Sequence, residues 1–275
     1  MPIRMPTIFA AGGGPDHTDD AAWMGALSAW GASIPRPTSI LAFSAHWETR
    51  PLAIGATSTP VPLVYDFGGF PERYYKVTWP APGAPALADR LRALLTDARV
   101  PFVDAPRRGL DHGVYPALKG LFPNADVPTL PVSLPSDDPR ALFAFGKTLA
   151  PLRDEGVLIV ASGFLIHNLD VMMRDASRAR GASFGDALGS LRGVTDAPPW
   201  ARAFDAWVED VVTRKDWDAL VDYRARAPHV DVALPTHEHF LPLLIAAGAG
   251  ADGPVRFPIS GFAYATATKR SVQLG

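Results

Sequence analysis

The 275-residue chain has no cysteine, which excludes disulfide staples, thiolate nucleophiles and cysteine-bound zinc or iron–sulfur centres. Any metal it holds must take nitrogen from histidine and oxygen from aspartate, glutamate or water. An excess of one charge is missing too. The 26 Lys and Arg residues against 28 Asp and Glu leave a formal net charge of −2, so there is no footprint for nucleic acid or for an anionic membrane surface. The opening residues hold one early positive charge and a short apolar run that ends in glycines. Neither a signal peptide nor a membrane anchor fits that pattern, and a cytoplasmic protein with a small, near-neutral partner is expected. The 28 prolines and 24 glycines are scattered between apolar segments and form no low-complexity tract. No internal repeat and no linker-like shift in composition is visible, so residues 1–275 read as a single domain, within the roughly 250 to 300 residues at which single cores stop growing.

What is present is a run of short apolar segments alternating with helical spacing. Residues 7–11, 40–45, 52–56, 127–133, 157–162 and 255–259 are rich in Ile, Val, Leu and Ala and read as buried strands. Residues 20–30, 85–95, 139–152, 200–212 and 238–247 have helical patterning. This alternation predicts an α/β fold with a central sheet flanked by helices. Asp138 before Pro139 predicts an N-cap with proline in the first turn, and Thr236 before Glu238 and His239 predicts a second helix start with His239 inside its first turn. Residues 172–197 are small and charged with little core pattern, and are expected to form an exposed excursion.

Four of the seven histidines sit in unusual words: His46 in SAHW, His112 in DHG, His167 in HNL and His239 in EHFLPLL. Strand ends and helix starts are where α/β folds assemble their sites. Taken singly, each could be a structural histidine satisfied by a carbonyl; taken together they suggest a metal or proton-transfer centre. Asp111 beside His112 could orient an imidazole. His237 and His239 are two residues apart and cannot share a helical face, so His239 is expected to point inward and His237 outward. Ser162-Gly163 lacks the G-x-S-x-G elbow of a Ser-His-Asp hydrolase, and the turn at 10–15, AAGGGP, lacks the spacing of a nucleotide loop. The aromatic stretch 65–75, YDFGGFPERYY, could line a pocket for a planar substrate.

In order along the chain, SAHW, YDFGGFP, WPAPGAPALA, RGLDHG, VLIVASG with its following HNL, and EHFLPLL resemble the extradiol ring-cleavage dioxygenases of the LigB superfamily, closest to the DOPA-dioxygenase branch. The resemblance covers nearly the whole chain. It implies a single-domain α/β enzyme that opens a substituted catechol with O2 at a non-haem Fe(II), or zinc in its place. His46 and His239 match metal-ligand positions. His167 matches a histidine read either as a further ligand or as acid/base, and His112 matches one expected to bind or deprotonate substrate. The partners implied are a small aromatic diol and O2, with a monomer or homodimer equally open. One departure stands out: family members carry a metal-binding histidine just before the glycine-rich turn, where this chain has Ala11. An alanine cannot coordinate, so weakened metal binding is expected unless Asp16, His17 or His237 compensates. Two alternatives stay open at this point: a metal-poor relative doing non-oxidative acid/base chemistry on a phenol, and a non-catalytic, Memo-like binding protein.

Overall fold

A computed structural model describes residues 3–176 and 184–275 of the chain. The strands are β1 (Thr7–Ala11), β2 (Ser39–Glu48), β3 (Leu52–Ile54), β4 (Leu63–Val64), β5 (Phe102–Asp104), β6 (Leu110–Asp111), β7 (Thr129–Leu134), β8 (Val157–Gly163), β9 (Val255–Arg256), β10 (Phe262–Ala263), β11 (Ala267–Thr268) and β12 (Val272–Leu274). The helices are α1 (Ala21–Ser33), α2 (Pro85–Asp97), α3 (Tyr115–Leu121), α4 (Pro139–Leu149), α5 (Pro151–Asp154), α6 (Leu169–Ala176) and α7 (Phe184–Leu191). They continue with α8 (Pro199–Thr213), α9 (Trp217–Val221), α10 (Tyr223–Arg226), α11 (Val230–Ala233) and α12 (Leu241–Ala249).

Eight strands form one mixed sheet in the order β5-β3-β7-β2-β8-β1-β12-β9. Its centre is parallel, with β2 paired to β7 and β8, and β8 paired to β1. Strands buried on both faces need apolar residues at every position, which is why these segments read as continuous runs. Period-two alternation then sorts their side chains. Phe9, Leu41, Phe43, Ile159 and Ala161 join one core, while Ile8, Ile40, Ala42, Leu158 and Val160 join the other. The first core is covered by α2, α4, α8 and α12, the second by α1 and α3. Full burial of a leucine such as Leu244 contributes about 2 kcal/mol.

Local signals fix several boundaries. The Asp138 carboxylate accepts from the Arg140 and Ala141 amides with Pro139 in the first turn, as the sequence predicts, and the Asp20 carboxylate accepts from the Trp23 amide to start α1. Where α4 crosses α12, Gly146 and Gly248 let the backbones touch: a Cβ on Gly146 would lie 2.3 Å from the Ile245 carbonyl oxygen. No larger residue fits that crossing.

Three expectations are corrected. Helix α12 begins at Leu241, so His239 lies in the preceding turn and not in a helical first turn. Pro242, at the second helical position, marks the true start. The last expected strand is confined to Val255–Arg256, because Pro258 after it removes a ladder donor. The excursion at 172–197 is partly buried: Met172, Ala187, Leu188 and Leu191 are all in the second core. Its residues 177–183 lie outside the described residues. No helix among the described residues is long and apolar enough to cross a membrane.

Candidate active site

The parallel strands carry their chemistry to one edge of the sheet. His46 stands near the carboxyl end of β2, where its amide donates to Ser44 Oγ at 3.1 Å. His112 follows β6, whose pairing with β4 sets Asp111 opposite Val64. His167 lies in the turn after β8, its amide donating to the Ala233 carbonyl at 2.9 Å. Asn168 then accepts from the Val171 amide at 3.0 Å and starts α6. His239 comes from the turn between α11 and α12, and its carbonyl accepts the Phe164 amide at 3.0 Å. That contact depends on Gly163, where any Cβ would lie 2.2 Å from the His239 carbonyl oxygen.

The four predicted histidines are brought together. The His46 ring centroid lies 4.2 Å from that of His112 and 5.1 Å from that of His239, and His239 stacks on His167 at 3.6 Å with 24° between planes. Two sets of donor atoms come within 4.8 Å of one another: His46 with Asp66 and His112, and His167 with Glu238 and His239. His239 is buried as expected, whereas His237 is half-exposed against Tyr223.

Asp66 escaped the sequence reading, although it lies inside the YDFGGFP word. Its Oδ1 is 2.7 Å from His112 Nδ1 and also accepts the His112 amide at 3.1 Å, while its Oδ2 is 3.4 Å from His46 Nδ1. Asp111, the sequence candidate for orienting His112, is occupied elsewhere: it takes Ser44 Oγ, the Gly113 amide and Arg108. Its burial pushes its carboxyl pKa up. Asp66 behaves oppositely. Burial favours its neutral acid, but hydrogen bonds from His112 and His46 outweigh that and hold its carboxyl well below the usual range.

The remaining imidazoles are kept uncharged. Burial pushes His167 down to about 4. Burial, joined by repulsion from His167, His46 and His112, pushes His239 well below its ordinary value. Both therefore carry free lone pairs at neutral pH, the form a metal requires. The His239 Nδ1 is buried with no hydrogen-bond partner, an orphan that a bound cation would satisfy.

A cavity of about 280 Å³ opens onto these groups. His46, His112, His167 and His239 line one side, and Phe67, Phe70, Phe164, Ile166, Met172 and Phe184 supply much of the rest. The expectation for the aromatic stretch thus holds for Phe67 and Phe70. Tyr65 and Tyr74 instead donate to the Val77 carbonyl and to Asp19. Met172, Phe184 and Leu188, from the segment expected to be an exposed excursion, also line the cavity, as does Leu169 just before it.

Ala11 ends β1 opposite Gly163, is fully buried in the first core and does not line the cavity. His17 does line it, stacked on Trp23 at 4.1 Å, with Nδ1 accepting the Gly13 amide at 3.3 Å. Asp16 accepts from Tyr264 and Arg192. Among the described residues, His17, Asp16 and His237 belong to neither donor set. Ser162 Oγ donates to the carbonyls of Ala10 and Gly12, a structural role that leaves it no part in a hydrolase triad.

Comparison with known proteins gives the family. Residues 5–275 match the family described as the catalytic LigB subunit of aromatic ring-opening dioxygenase. The chain is 36% identical over 281 residues to a protein of Escherichia coli K12 named 4,5-DOPA dioxygenase extradiol, covering 99% of this chain and 95% of that one. It is 36% identical over 230 residues to a protein of the same name from Beta vulgaris, covering 82% of this chain and 79% of the relative. Among solved structures, an uncharacterized protein of Escherichia coli K12 superposes with a TM-score of 0.77 at 33% identity, covering 99% of this chain and all of that one. With the family matched from end to end and the four histidines gathered on one cavity, the chain belongs to the LigB family of aromatic ring-opening dioxygenases.

Proposed function

We propose that the chain catalyses extradiol cleavage of a substituted catechol with O2, at a metal held by His46, His239 and His167, with His112 in proton transfer. The observation that carries this reading is the contiguous row His112, His46, His239 and His167 beside a cavity with aromatic walls. Nitrogen and oxygen donors without thiolate suit Fe(II), with zinc as the alternative occupant. The unpartnered, buried Nδ1 of His239 supports the fit.

When bound, such a metal supplies open positions for the two catechol oxygens and for O2. The protein's own groups do the rest. The phenyl rings of Phe67, Phe70 and Phe164 hold a planar substrate edge-on or stacked and exclude water from it. His112 takes the catechol hydroxyl proton at its free ring nitrogen, and the 2.7 Å contact to Asp66 stabilises the imidazolium that results. The same imidazolium returns the proton as the ring opens. His167, uncharged through burial, offers its lone pair to the metal without first losing a proton. No observation favours the non-oxidative or the binding-only alternative.

The test is anaerobic loading of the protein with Fe(II), followed by oxygen uptake with a panel of catechols. Consumption of one O2 per catechol with a yellow ring-opened product is expected, and is lost in His46→Ala and His239→Ala. Turnover of a phenol at full rate without oxygen would overturn the reading.

A further inference from the structure

We infer that Asp66 is a positioning residue shared by two imidazoles: it fixes His46 and His112 together as Nδ1–H tautomers, leaving each Nε2 as the lone-pair nitrogen. The inference deepens the proposed function, since it rests on His46 as a metal ligand and His112 as the proton acceptor.

A neutral imidazole has one N–H and one lone pair, and the partner of one nitrogen decides which is which. An ionised carboxylate only accepts. Asp66 engages His112 Nδ1 through Oδ1 at 2.7 Å, a hydrogen bond, and lies 3.4 Å from His46 Nδ1 through Oδ2, an ion-pair contact, so both rings present Nδ1 to the same carboxylate. The two rings are packed at a centroid separation of 4.2 Å and tilted by 56°. The carboxylate is itself anchored, because the His112 amide donates to the oxygen that the His112 ring engages. The nearby guanidinium of Arg108 is committed to Asp111, which leaves the imidazoles as the ion partners found for Asp66 among the described residues. Asp111, adjacent in sequence to His112, holds the backbone turn through Ser44 and Gly113. The two carboxylates therefore divide the work: one shapes the chain, the other sets the rings.

The metal-free protein is compared with Asp66→Asn and Asp66→Glu by long-range ¹H–¹⁵N NMR of the histidine rings and by zinc titration. Wild type is expected to show His46 and His112 as Nδ1–H tautomers. In Asp66→Asn, whose single amide oxygen serves one ring, an Nε2–H population should appear and zinc affinity should fall about 10- to 100-fold. Asp66→Glu, which keeps the carboxylate, should recover part of that affinity. An Nε2–H tautomer at either ring in wild type overturns the inference, and so does zinc binding within twofold of wild type in a folded Asp66→Asn. Neither readout uses catechol or O2, so failure of the ring-cleavage reading would leave the tautomers as found, and reversed tautomers would not by themselves remove turnover.

Discussion

Replacing Gly163 by alanine tests how tightly the site depends on one backbone contact. The new Cβ would lie 2.2 Å from the His239 carbonyl oxygen, about 1 Å inside the roughly 3.3 Å at which carbon and carbonyl oxygen meet. Gly163 is the last residue of β8 and pairs with Ala11 on β1, so the sheet cannot yield easily and the turn carrying His239 must move. That movement breaks the 3.0 Å bond from the Phe164 amide, worth about 1 kcal/mol, and adds overpacking strain of roughly 1 to 3 kcal/mol. A total near 3 kcal/mol lowers Tm by about 6 to 12 °C for a domain of this size. Displacing a ligand by about 1 Å is also enough to cost on the order of 100-fold in a positioned reaction. Thermal unfolding with zinc titration reads both effects. A Gly163→Ala protein with wild-type Tm and wild-type zinc affinity would refute the claim that this contact places His239.

The other predictions concern charge and burial. Arg270→Met leaves the buried Asp205 carboxylate, which accepts from Arg270 at 2.6 and 2.9 Å, with Thr268 as its one remaining side-chain donor among the described residues; a loss of about 3 to 5 kcal/mol is expected in urea unfolding, and a loss under 1 kcal/mol would contradict it. Burial pushes His17 down to about 4, so as pH falls below about 6.5 the unfolded chain gains a proton that the native state refuses. Its contribution is intact above that pH and about 3 kcal/mol is lost by pH 4. His17→Phe should flatten the fall in urea midpoint between pH 6.5 and 4, and an unchanged slope would contradict the assignment. His112→Phe should lower kcat about 10²- to 10⁴-fold while zinc affinity stays within a few-fold, whereas equal loss of both would make His112 a ligand.

Strands were the most legible part of the chain, because burial on both faces writes itself as runs of Ile, Val, Leu and Ala; β1 has the bounds that the sequence predicts. The four site histidines were legible through their words and through the family resemblance. Other features depend on contacts between distant residues and leave no local trace. Asp66 meets His112 across 46 residues, and the Asp-His neighbour in sequence drew attention to Asp111 instead. The turn at His239 is held by Phe164, far away in the chain, so Thr236 and Glu238 there resemble a helix start while Pro242 marks the real one. The segment 172–197 reads as an exposed excursion because its apolar residues are sparse, yet Met172, Phe184 and Leu188 reach the cavity from two short helices. Ala11 is a fully buried residue of the first core and is not among the cavity-lining residues.

The most direct test of the central claim is the mass of the product formed from a catechol under ¹⁸O2 by the Fe(II)-loaded protein. Ring cleavage by this site predicts a product heavier than the catechol by both atoms of O2, with ¹⁸O retained in the new carboxylate. A product that takes oxygen from H2¹⁸O alone, or no product in the presence of bound Fe(II), would contradict the account.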